Sequence, residues 1–470
     1  MQTNENLFQE FPPVSIEEWK QKIIKDLKGK PYESLLWEAE EGIILEPFYK
    51  RENTPSISFL NYVSDLQRAN TNNAWYNCGV VEVENTEQAN QKALKLLQSG
   101  VNSLQFTIEK QTDFQSLLKD IQTDYIQTIV KTSSLEVARD FLTYISKNTL
   151  QKHDLALDAD LASDYAAGKV TENELGQWLD FIAETSPSWT DFPVKLFSIR
   201  SEEAHYAGAT TVDELAYLLA KTNFLFSELE KRGLSPETIA KSLFFKIPVG
   251  ISFFKEIGKI ESLKILYFNF LKQKNIDWAS SFPIIHCETS TFYHSRLDMH
   301  NNMLRNTTQT VSAVLAGANT IHTTPHDKVL GKTTGFSERI AKNVQILLQE
   351  EGYFQKVKNI VEGNYYLKNI TAKLCETTWE KYHDIIEDNK DWKALLKQGY
   401  WQKNFEAGFE KLVQAYLKQE KVMVGVNKYP NPQEKEQETF VQSQEARHSD
   451  FRPLTLKRIA SYIAIQNHEN

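Results

Sequence analysis

Cysteine is scarce in this chain, with three residues in 470. Cys78, Cys287 and Cys375 are odd in number and far apart, which is not a disulfide framework and gives no metal-ligand spacing. We therefore expect free thiols in a reducing cytoplasm. Cys287 follows His286 directly, so a reactive thiolate pair is one interpretation. We favour the other, a buried and inert thiol on a strand.

Long apolar runs and a surplus of basic residues are also missing. No stretch approaches the roughly 18 apolar residues that a membrane-spanning helix needs. The first ten residues, MQTNENLFQE, are polar and contain no signal-peptide core. The formal net charge is −9, which leaves no basic face to neutralise nucleic-acid phosphates. We expect a soluble protein that binds neither membranes nor nucleic acid.

Signature motifs of several enzyme classes are absent as well. The sequence has no Gly-rich phosphate loop, no His-Glu-x-x-His and no Gly-x-Ser-x-Gly, the motifs of nucleotide, zinc and serine chemistry. No His-x-His pair occurs among its 10 histidines. A metal-dependent hydrolase built on a barrel is therefore the least favoured functional interpretation.

The middle of the chain alternates between apolar runs and helix-period segments. Runs rich in β-branched and aromatic residues predict eight strands, at 78–83, 103–108, 126–131, 154–158, 194–199, 242–247, 282–286 and 319–322. Helical periodicity between them is clearest at 88–97, 135–145, 212–229, 253–271 and 302–315. Eight such units are the number that a closed (β/α)8 TIM barrel requires, and these barrels carry their functional residues at the carboxyl ends of the strands.

Residues 1–50 predict an arm in front of the barrel. The segment Ser15-Ile16-Glu17-Glu18 is a capping-box signature. After it, Trp19, Ile23 and Leu27 fall on one face of a short helix. An apolar stripe on a terminal helix needs a cover, which is either a partner chain or the barrel of the same chain.

We place the barrel at 51–352 and a helical C-terminal extension at 353–470. Within the extension, 422–426 predicts a single strand and 430–445 a polar loop. In the predicted helix 302–315, apolar spacing indicates a stripe that covers the barrel. This stripe consists of Leu304, Thr308, Val311 and Leu315.

Ionisable residues follow several predicted strands directly. Asp158 and Asp160 follow the fourth strand, and the segment 200–205 follows the fifth. His286 and His322 lie at the ends of the seventh and eighth. These two histidines could donate hydrogen bonds to a carbonyl or carboxylate of a substrate, or each could be a neutral histidine satisfied by the backbone.

The most specific signal lies between His286 and Trp379. It consists of HCETS from His286, NNMLRNTT from Asn301, AGANTIHT from Ala316 and FSERIAKNVQ from Phe336. In this order and spacing the chain resembles the methylmalonyl-CoA mutases, which belong to the adenosylcobalamin-dependent acyl-CoA mutases. The resemblance covers residues 1 to about 430. It implies a (β/α)8 barrel and an arm that wraps around a partner subunit, with Trp19, Ile23 and Leu27 at the interface.

One segment that this resemblance would bring is missing. Mutases that hold their own cofactor carry Asp-x-His-x-x-Gly in a C-terminal flavodoxin-like domain, where the histidine lies beneath the cobalt. The nearest string here, 298–303, reads DMHNNM and ends in methionine. An exposed loop histidine is its ordinary interpretation. We therefore expect the cobalamin-binding domain to be absent and this chain to hold no cofactor.

The segment after the fifth strand differs from the family at the position of the catalytic histidine. In catalytic relatives it reads Ser-Gly-Tyr-His-x-Gln-Glu-Ala-Gly-Ala, and the histidine contacts the substrate thioester oxygen. Here it reads RSEEAHYAGA from Arg200, which aligns Glu203 with that histidine and His205 with the glutamine. A carboxylate cannot donate a hydrogen bond to a developing anion. Glu288 likewise replaces the glutamine of the family's His-Cys-Gln-Thr-Ser. The alternative is that a shifted loop lets His205 take the place of the missing histidine.

Further departures agree with these. The family's Arg-x-Tyr-Ala-Gly-Phe and Thr-Ile-Gln-Asn-Asp segments have no counterpart, and its Arg-Ala-Ala-Arg reads ESLK at 261–264. The resemblance thus implies a non-catalytic small subunit of a cytoplasmic heterodimer. Its large partner would carry adenosylcobalamin and interconvert methylmalonyl-CoA and succinyl-CoA in propionate metabolism. The alternative is a catalytic barrel that uses a separately encoded cobalamin-binding subunit, with His205, His286 and His322 as its working residues.

Overall fold

Eight parallel strands form one sheet that closes into a barrel in the computed structural model. The model describes residues 14–40, 42–53, 73–277, 281–331, 333–387, 391–431 and 450–469. The strands are β3 (Tyr76–Glu82), β4 (Ser103–Thr107), β5 (Gln127–Lys131), β6 (Leu155–Asp158), β7 (Phe197–Arg200), β8 (Leu243–Val249), β9 (Ile285–Thr289) and β10 (Thr320–His322). Their order around the barrel is β6-β5-β4-β3-β10-β9-β8-β7. A bridge between Ala156 and Lys195 joins the two ends, and the predicted (β/α)8 fold is confirmed.

Helices alternate with these strands and continue after them. A short hairpin precedes the barrel, formed by β1 (Trp37–Glu40) and β2 (Ile43–Leu45). The helices are α1 (Ile16–Asp26), α2 (Thr86–Gln98), α3 (Phe114–Leu117), α4 (Leu135–Lys147), α5 (Leu161–Ala166), α6 (Glu172–Thr185), α7 (Glu202–Ala207), α8 (Thr211–Lys231), α9 (Pro236–Ser242), α10 (Phe253–Gln273), α11 (Asn301–Leu315), α12 (Gly335–Glu350), α13 (Tyr365–Glu387), α14 (Trp392–Lys397), α15 (Tyr400–Leu417) and α16 (Ile459–Glu469). No helix within the described part of the chain is both long and apolar enough to cross a membrane.

The barrel strands are buried on both faces, as parallel strands covered by helices must be. All seven residues of β8 are buried, which explains why every residue of this strand except Lys246 is apolar. The seventh barrel strand differs from its prediction, since it spans Ile285–Thr289 rather than 282–286. Pro283 lies in the predicted range and has no backbone N–H for the ladder, so regular pairing starts after it.

The predicted stripe on α11 is wrong, because this helix turns the other way. Leu304 is 68% exposed, Thr308 is exposed, and Val311 and Leu315 are only half-buried. Amide and hydroxyl side chains form the buried face instead: Asn302, Asn306, Gln309 and Thr310. Asn302 donates to the carbonyls of Ser295 at 2.9 Å and His326 at 3.0 Å, and Asn306 donates to that of Thr324 at 2.6 Å. Loop carbonyls after two strands need donors, and this requirement outweighs apolar spacing.

The C-terminal helices pack against the barrel rather than apart from it. Helix α13 lies across α8 and α10, and Trp392 and Trp401 are fully buried beside Tyr217. The extension is therefore helical and shares the barrel's hydrophobic core. The predicted strand 422–426 is wrong, because a tight turn there leaves one bridge, between Val424 and Lys428. Most of the predicted loop 430–445 lies outside the described residues.

The arm has two parts with different packing. Helix α1 begins at the predicted capping box, where Ser15 Oγ accepts from the Glu18 backbone N–H at 3.1 Å, but none of its residues is buried. Trp19 is 46% exposed and packs edge-to-face with Phe48, with ring centroids 5.8 Å apart. The hairpin of β1 and β2 packs against α13 and buries Ile43. The hairpin thus belongs to this chain's own core, and α1 does not.

Candidate functional site

The candidate residues lie at one mouth of the barrel, but in different surroundings. Asp158, Arg200 and His322 are the last residues of β6, β7 and β10. Glu288 lies level with His322 in the pairing of β9 with β10. His286 lies two residues before Glu288 on the same strand, one layer deeper, because alternate residues point to the same side. Its ring packs in a tilted arrangement against Phe244, with centroids 4.3 Å apart.

A lysine that the sequence did not single out occupies the centre of this mouth. Lys246 Nζ lies 3.0 Å from Asp158 Oδ2, 3.0 Å from Gln105 Oε1 and 3.7 Å from Glu288 Oε2. Ser198 Oγ donates to the other oxygen of Asp158 at 2.6 Å. Burial opposes the charge of Asp158, but Lys246 and neighbouring cations hold the pKa of that carboxyl below its usual value. This cation is therefore committed to carboxylates of its own chain.

Glu203 lies in a second buried cluster, around Lys221. Lys221 is 0% and Glu203 4% exposed, and Lys221 Nζ contacts Glu203 Oε1 at 2.7 Å and Asp160 Oδ2 at 3.0 Å. The hydroxyls of Tyr217 and Ser163 also donate to Glu203 Oε1, at 2.7 and 2.9 Å. Glu203 Oε2 is buried without a hydrogen-bond partner among the described residues. The carboxylate that the sequence analysis aligned with the family's histidine is thus enclosed by its own chain.

Arg200 is buried beside this cluster. Its guanidinium donates to the Asp160 carbonyl at 2.8 Å and pairs with Asp164 at 3.3 Å. Burial works against its charge, but Asp164, Asp158 and Asp160 raise the pKa of Arg200 above its ordinary value. Among the described residues, this arginine faces carboxylates and not an open cavity.

Both ring nitrogens of His205 are occupied. Its Nδ1 lies 3.3 Å from Glu214 Oε2, to which it donates, and its Nε2 lies 2.8 Å from the hydroxyl of Ser290. Lys259 pairs with Glu214 at 3.3 Å and so extends the cluster. Burial opposes the charge of Glu214, but Lys259 and His205 lower its pKa to about 2. His205 is therefore held by α8 and the β9 loop, and the shifted loop that would free it is not observed.

The remaining histidines differ in exposure. Burial lowers the pKa of His286 to about 3, so its ring is neutral near pH 7. His322 Nδ1–H donates to the Cys78 carbonyl at 3.0 Å, and burial lowers its pKa as well. Its Nε2 is the nitrogen left for another partner. Burial raises the pKa of Cys287 to about 12, in agreement with an inert thiol.

The string nearest to the cobalt-ligating motif does not have the structure of that motif. Asp298 accepts a hydrogen bond from Asn301 at 2.6 Å, and His300 is an exposed residue whose ring lies 5.7 Å from that of His326. Throughout the described parts of the chain, no group of three or more His, Cys, Asp or Glu side chains is placed to hold a metal ion.

Sequence reasoning found the carboxylates but missed their cationic partners, namely Lys221, Lys246 and Lys259. One signal could have found them, because each lysine interrupts an apolar segment, as Lys246 does in LFFKIPV. A lysine in a fully buried strand must be paired, since an isolated buried charge is too costly. The identity of each partner requires the fold, because Asp158 and Lys246 are 88 residues apart.

The chain is similar to known proteins over most of its length. The family model described as Methylmalonyl-CoA mutase matches residues 85–467. The small subunit of methylmalonyl-CoA mutase from Porphyromonas gingivalis is 29% identical over 445 residues, which cover 91% of this chain and 71% of that protein. The corresponding small subunit from Propionibacterium freudenreichii subsp. shermanii is 24% identical over 84% of this chain and 66% of its own. A methylmalonyl-CoA mutase from Rhizobium meliloti is 24% identical, and this chain covers 64% of its length.

Proposed function

The chain belongs to the methylmalonyl-CoA mutase family, and from this premise we propose that it is the non-catalytic small subunit of a heterodimeric methylmalonyl-CoA mutase. Its partner would be the large subunit, which interconverts methylmalonyl-CoA and succinyl-CoA with adenosylcobalamin. The partner assignment is supported by relatives that are themselves named small subunits.

The environment of Glu203 carries this proposal. A mutase needs a hydrogen-bond donor where negative charge develops on the thioester oxygen, and removal of one such donor costs roughly a hundredfold or more in rate. Glu203 stands at that position in the resemblance and accepts hydrogen bonds from Tyr217, Ser163 and Lys221. A negative side chain at this place disfavours the developing anion. The hydrogen-bond partners of Glu203 are residues of its own chain, so they stabilise the fold and are not available to a substrate.

We also propose that this chain holds no adenosylcobalamin of its own. The residues available do not fit the cofactor, because 298–303 lacks the glycine of the cobalt-ligating motif and its histidine stands in a short loop before α11. Equilibrium dialysis of the purified chain should detect no binding at micromolar adenosylcobalamin. Tight binding with a displaced nucleotide base, seen in the visible spectrum, would contradict this assignment.

A cytoplasmic location completes the proposal. All three cysteines are buried free thiols, as expected for a protein that functions in a reducing compartment.

Helix α1 is the element that we assign to the partner. Trp19, Ile23 and Leu27 form its apolar face, and aromatic anchors of this kind often dominate an interface.

The arm gives a direct test of the subunit role. Deleting residues 1–30 should abolish co-purification with a co-expressed large subunit, because α1 contributes no buried residue to its own chain. The thermal transition of the truncated chain should stay in place, since the hairpin that packs on α13 is retained. Lys25→Ala, on the same helix, is the matched control and should leave association intact. Loss of the chain's own transition on truncation would contradict the assignment of α1 to the partner.

A catalytic barrel with a separate cobalamin-binding subunit remains the second candidate. One observation favours it, because His322 and Glu288 line a cavity of about 310 Å³ at the mouth. The hydrogen bonds of His205 and the burial of His286 count against it. Turnover by this chain with a small cobalamin-binding protein, in the absence of any large subunit, would establish the second candidate.

A further inference from the structure

A groove runs from the barrel mouth to the surface between α2 and α12, the first and last helices of the barrel. Its inner part is the cavity of about 310 Å³ at His322 and Glu288. Its outer part is a more open depression of about 380 Å³. Lys92, Leu96, Glu338 and Lys342 line both parts, so the two are continuous.

The groove is basic in a protein whose formal net charge is −9. Its basic side chains are Lys92, Lys95, Lys131, Lys328, Arg339 and Lys342. Among the described residues that line it, three are acidic, namely Glu82, Glu288 and Glu338. A local concentration of positive charge on an acidic protein attracts a negatively charged ligand.

Few of these cations are neutralised inside the groove. Lys92 pairs with Glu338 at 2.9 Å. Lys342 donates to the Ser99 carbonyl at 3.0 Å. This acceptor is neutral, so the hydrogen bond does not balance the charge of the lysine. Lys95 and Arg339 form no ion pair with any other described residue, whereas Lys131 lies close enough to Glu202 and Asp158 to lower the pKa of both carboxyls. Burial and the nearby Arg339 lower the pKa of Lys342, as expected where positive groups crowd without a counter-ion.

The start of α12 adds to the same field. This helix begins at Gly335, which lines the outer part of the groove. The backbone amides of a helix N-terminus carry a partial positive charge and favour phosphate groups. Thr334 caps one of them, by accepting from the Ser337 N–H at 3.1 Å, and Asp327 Oδ2 accepts from the Thr334 N–H at 3.0 Å. One carboxylate of the chain thus already lies at this N-terminus, and the positive side chains of the outer part are the larger contribution to the field.

The inner part has a different chemistry. Thr107 and Thr323 contribute hydroxyl groups there, and Gln105 contributes an amide whose oxygen accepts from Lys246 at 3.0 Å. The carboxylates of Glu82 and Glu288 line the same part, so it suits a neutral polar body more than a further anion. A volume of about 310 Å³ lies at the lower end of the range for small-molecule sites. The groove thus offers a cationic entrance and a polar interior.

We propose that this groove binds a phosphorylated small molecule, with a diphosphate group held between Lys95, Arg339 and Lys342 and the organic part directed toward His322. A diphosphate carries about three negative charges near neutral pH, comparable to the excess of basic over acidic residues in the groove. This site is independent of the subunit role proposed above.

Calorimetric titration of the full chain with ADP, pyrophosphate and orthophosphate tests the proposal. ADP and pyrophosphate should bind saturably, and the double variant Arg339→Gln/Lys342→Gln should weaken both by at least tenfold. Lys147→Gln, which removes an exposed lysine on α4 outside the groove, is the matched control and should change either affinity by less than twofold. Lys95→Gln gives a second variant at an exposed position, where loss of the side chain leaves the fold intact.

Thr333→Trp tests the direction of the ligand. Thr333 is exposed and lines the inner part, so an indole there should weaken ADP by at least tenfold and pyrophosphate by less than threefold. Equal affinity for orthophosphate and ADP would show that only free phosphate binds and would overturn the placement of the organic part. The absence of saturable binding at millimolar pyrophosphate and ADP, or binding that the double variant leaves unchanged, would overturn the site itself.

Discussion

The two sides of the barrel mouth have the same topology but opposite organisation. On the side of β6, β7 and β8, buried lysines and carboxylates satisfy one another, and Lys221 is 0% exposed. On the side of β3, β4 and β10, basic residues surround a cavity and few of them are paired. Position at the carboxyl end of a barrel strand is therefore not sufficient to make a residue functional. Burial and the presence of an internal partner decide between a structural and a binding role.

The largest difference between the two sides should appear in the free energy of unfolding when one lysine is removed from each. Lys221→Met leaves Asp160 and Glu203 as uncompensated buried charges, which we expect to lower the free energy of unfolding by about 3–5 kcal/mol. Lys342→Met, on the open side, should lower it by less than about 1 kcal/mol. Urea unfolding of both variants against the unmodified chain measures this difference. Equal losses would mean that the open side is as structural as the closed one.

Acid should destabilise the barrel through His286 on β9, whose ring packs against Phe244 of the closed side. Its folded-state pKa of about 3 lies below the ordinary value, so protons bind the unfolded chain more readily and stability is lost as pH falls from about 6.5 toward 3. One such group contributes a slope of up to about 1.4 kcal/mol per pH unit. His286→Gln should make the decline between pH 6.5 and 4 shallower by about that slope. An unchanged profile in urea unfolding at several pH values would show that His286 titrates normally and is accessible.

The sequence predicted more of the fold than of the site. The eight strands follow from runs rich in β-branched and aromatic residues, as expected for strands buried on both faces, and the capping box at Ser15 predicts the start of α1. The stripe on α11 failed because Asn302 and Asn306 are buried to satisfy loop carbonyls, a demand that exists only once β9 and β10 are adjacent. Periodicity registers which residues are apolar and not which backbone groups need donors.

The limits of prediction at the mouth have the same origin. The departures at Glu203 and Glu288 could be found by comparing motifs, since each replaces one residue type by another at an aligned position. Their meaning depends on partners far along the chain, such as Lys246 for Glu288. The groove between α2 and α12 could not be predicted at all, because Lys95 and Arg339 converge only when the barrel closes.

Steady-state turnover of the reconstituted pair tests the central claim most directly. Glu203→Gln and His286→Ala in this chain should each change the kcat for methylmalonyl-CoA by less than about threefold, because neither side chain contacts substrate in the proposed role. Loss of a working charge-stabilising donor costs on the order of a hundredfold or more. A hundredfold drop on His286→Ala or His205→Ala, with subunit association intact, would mean that this barrel performs the chemistry itself.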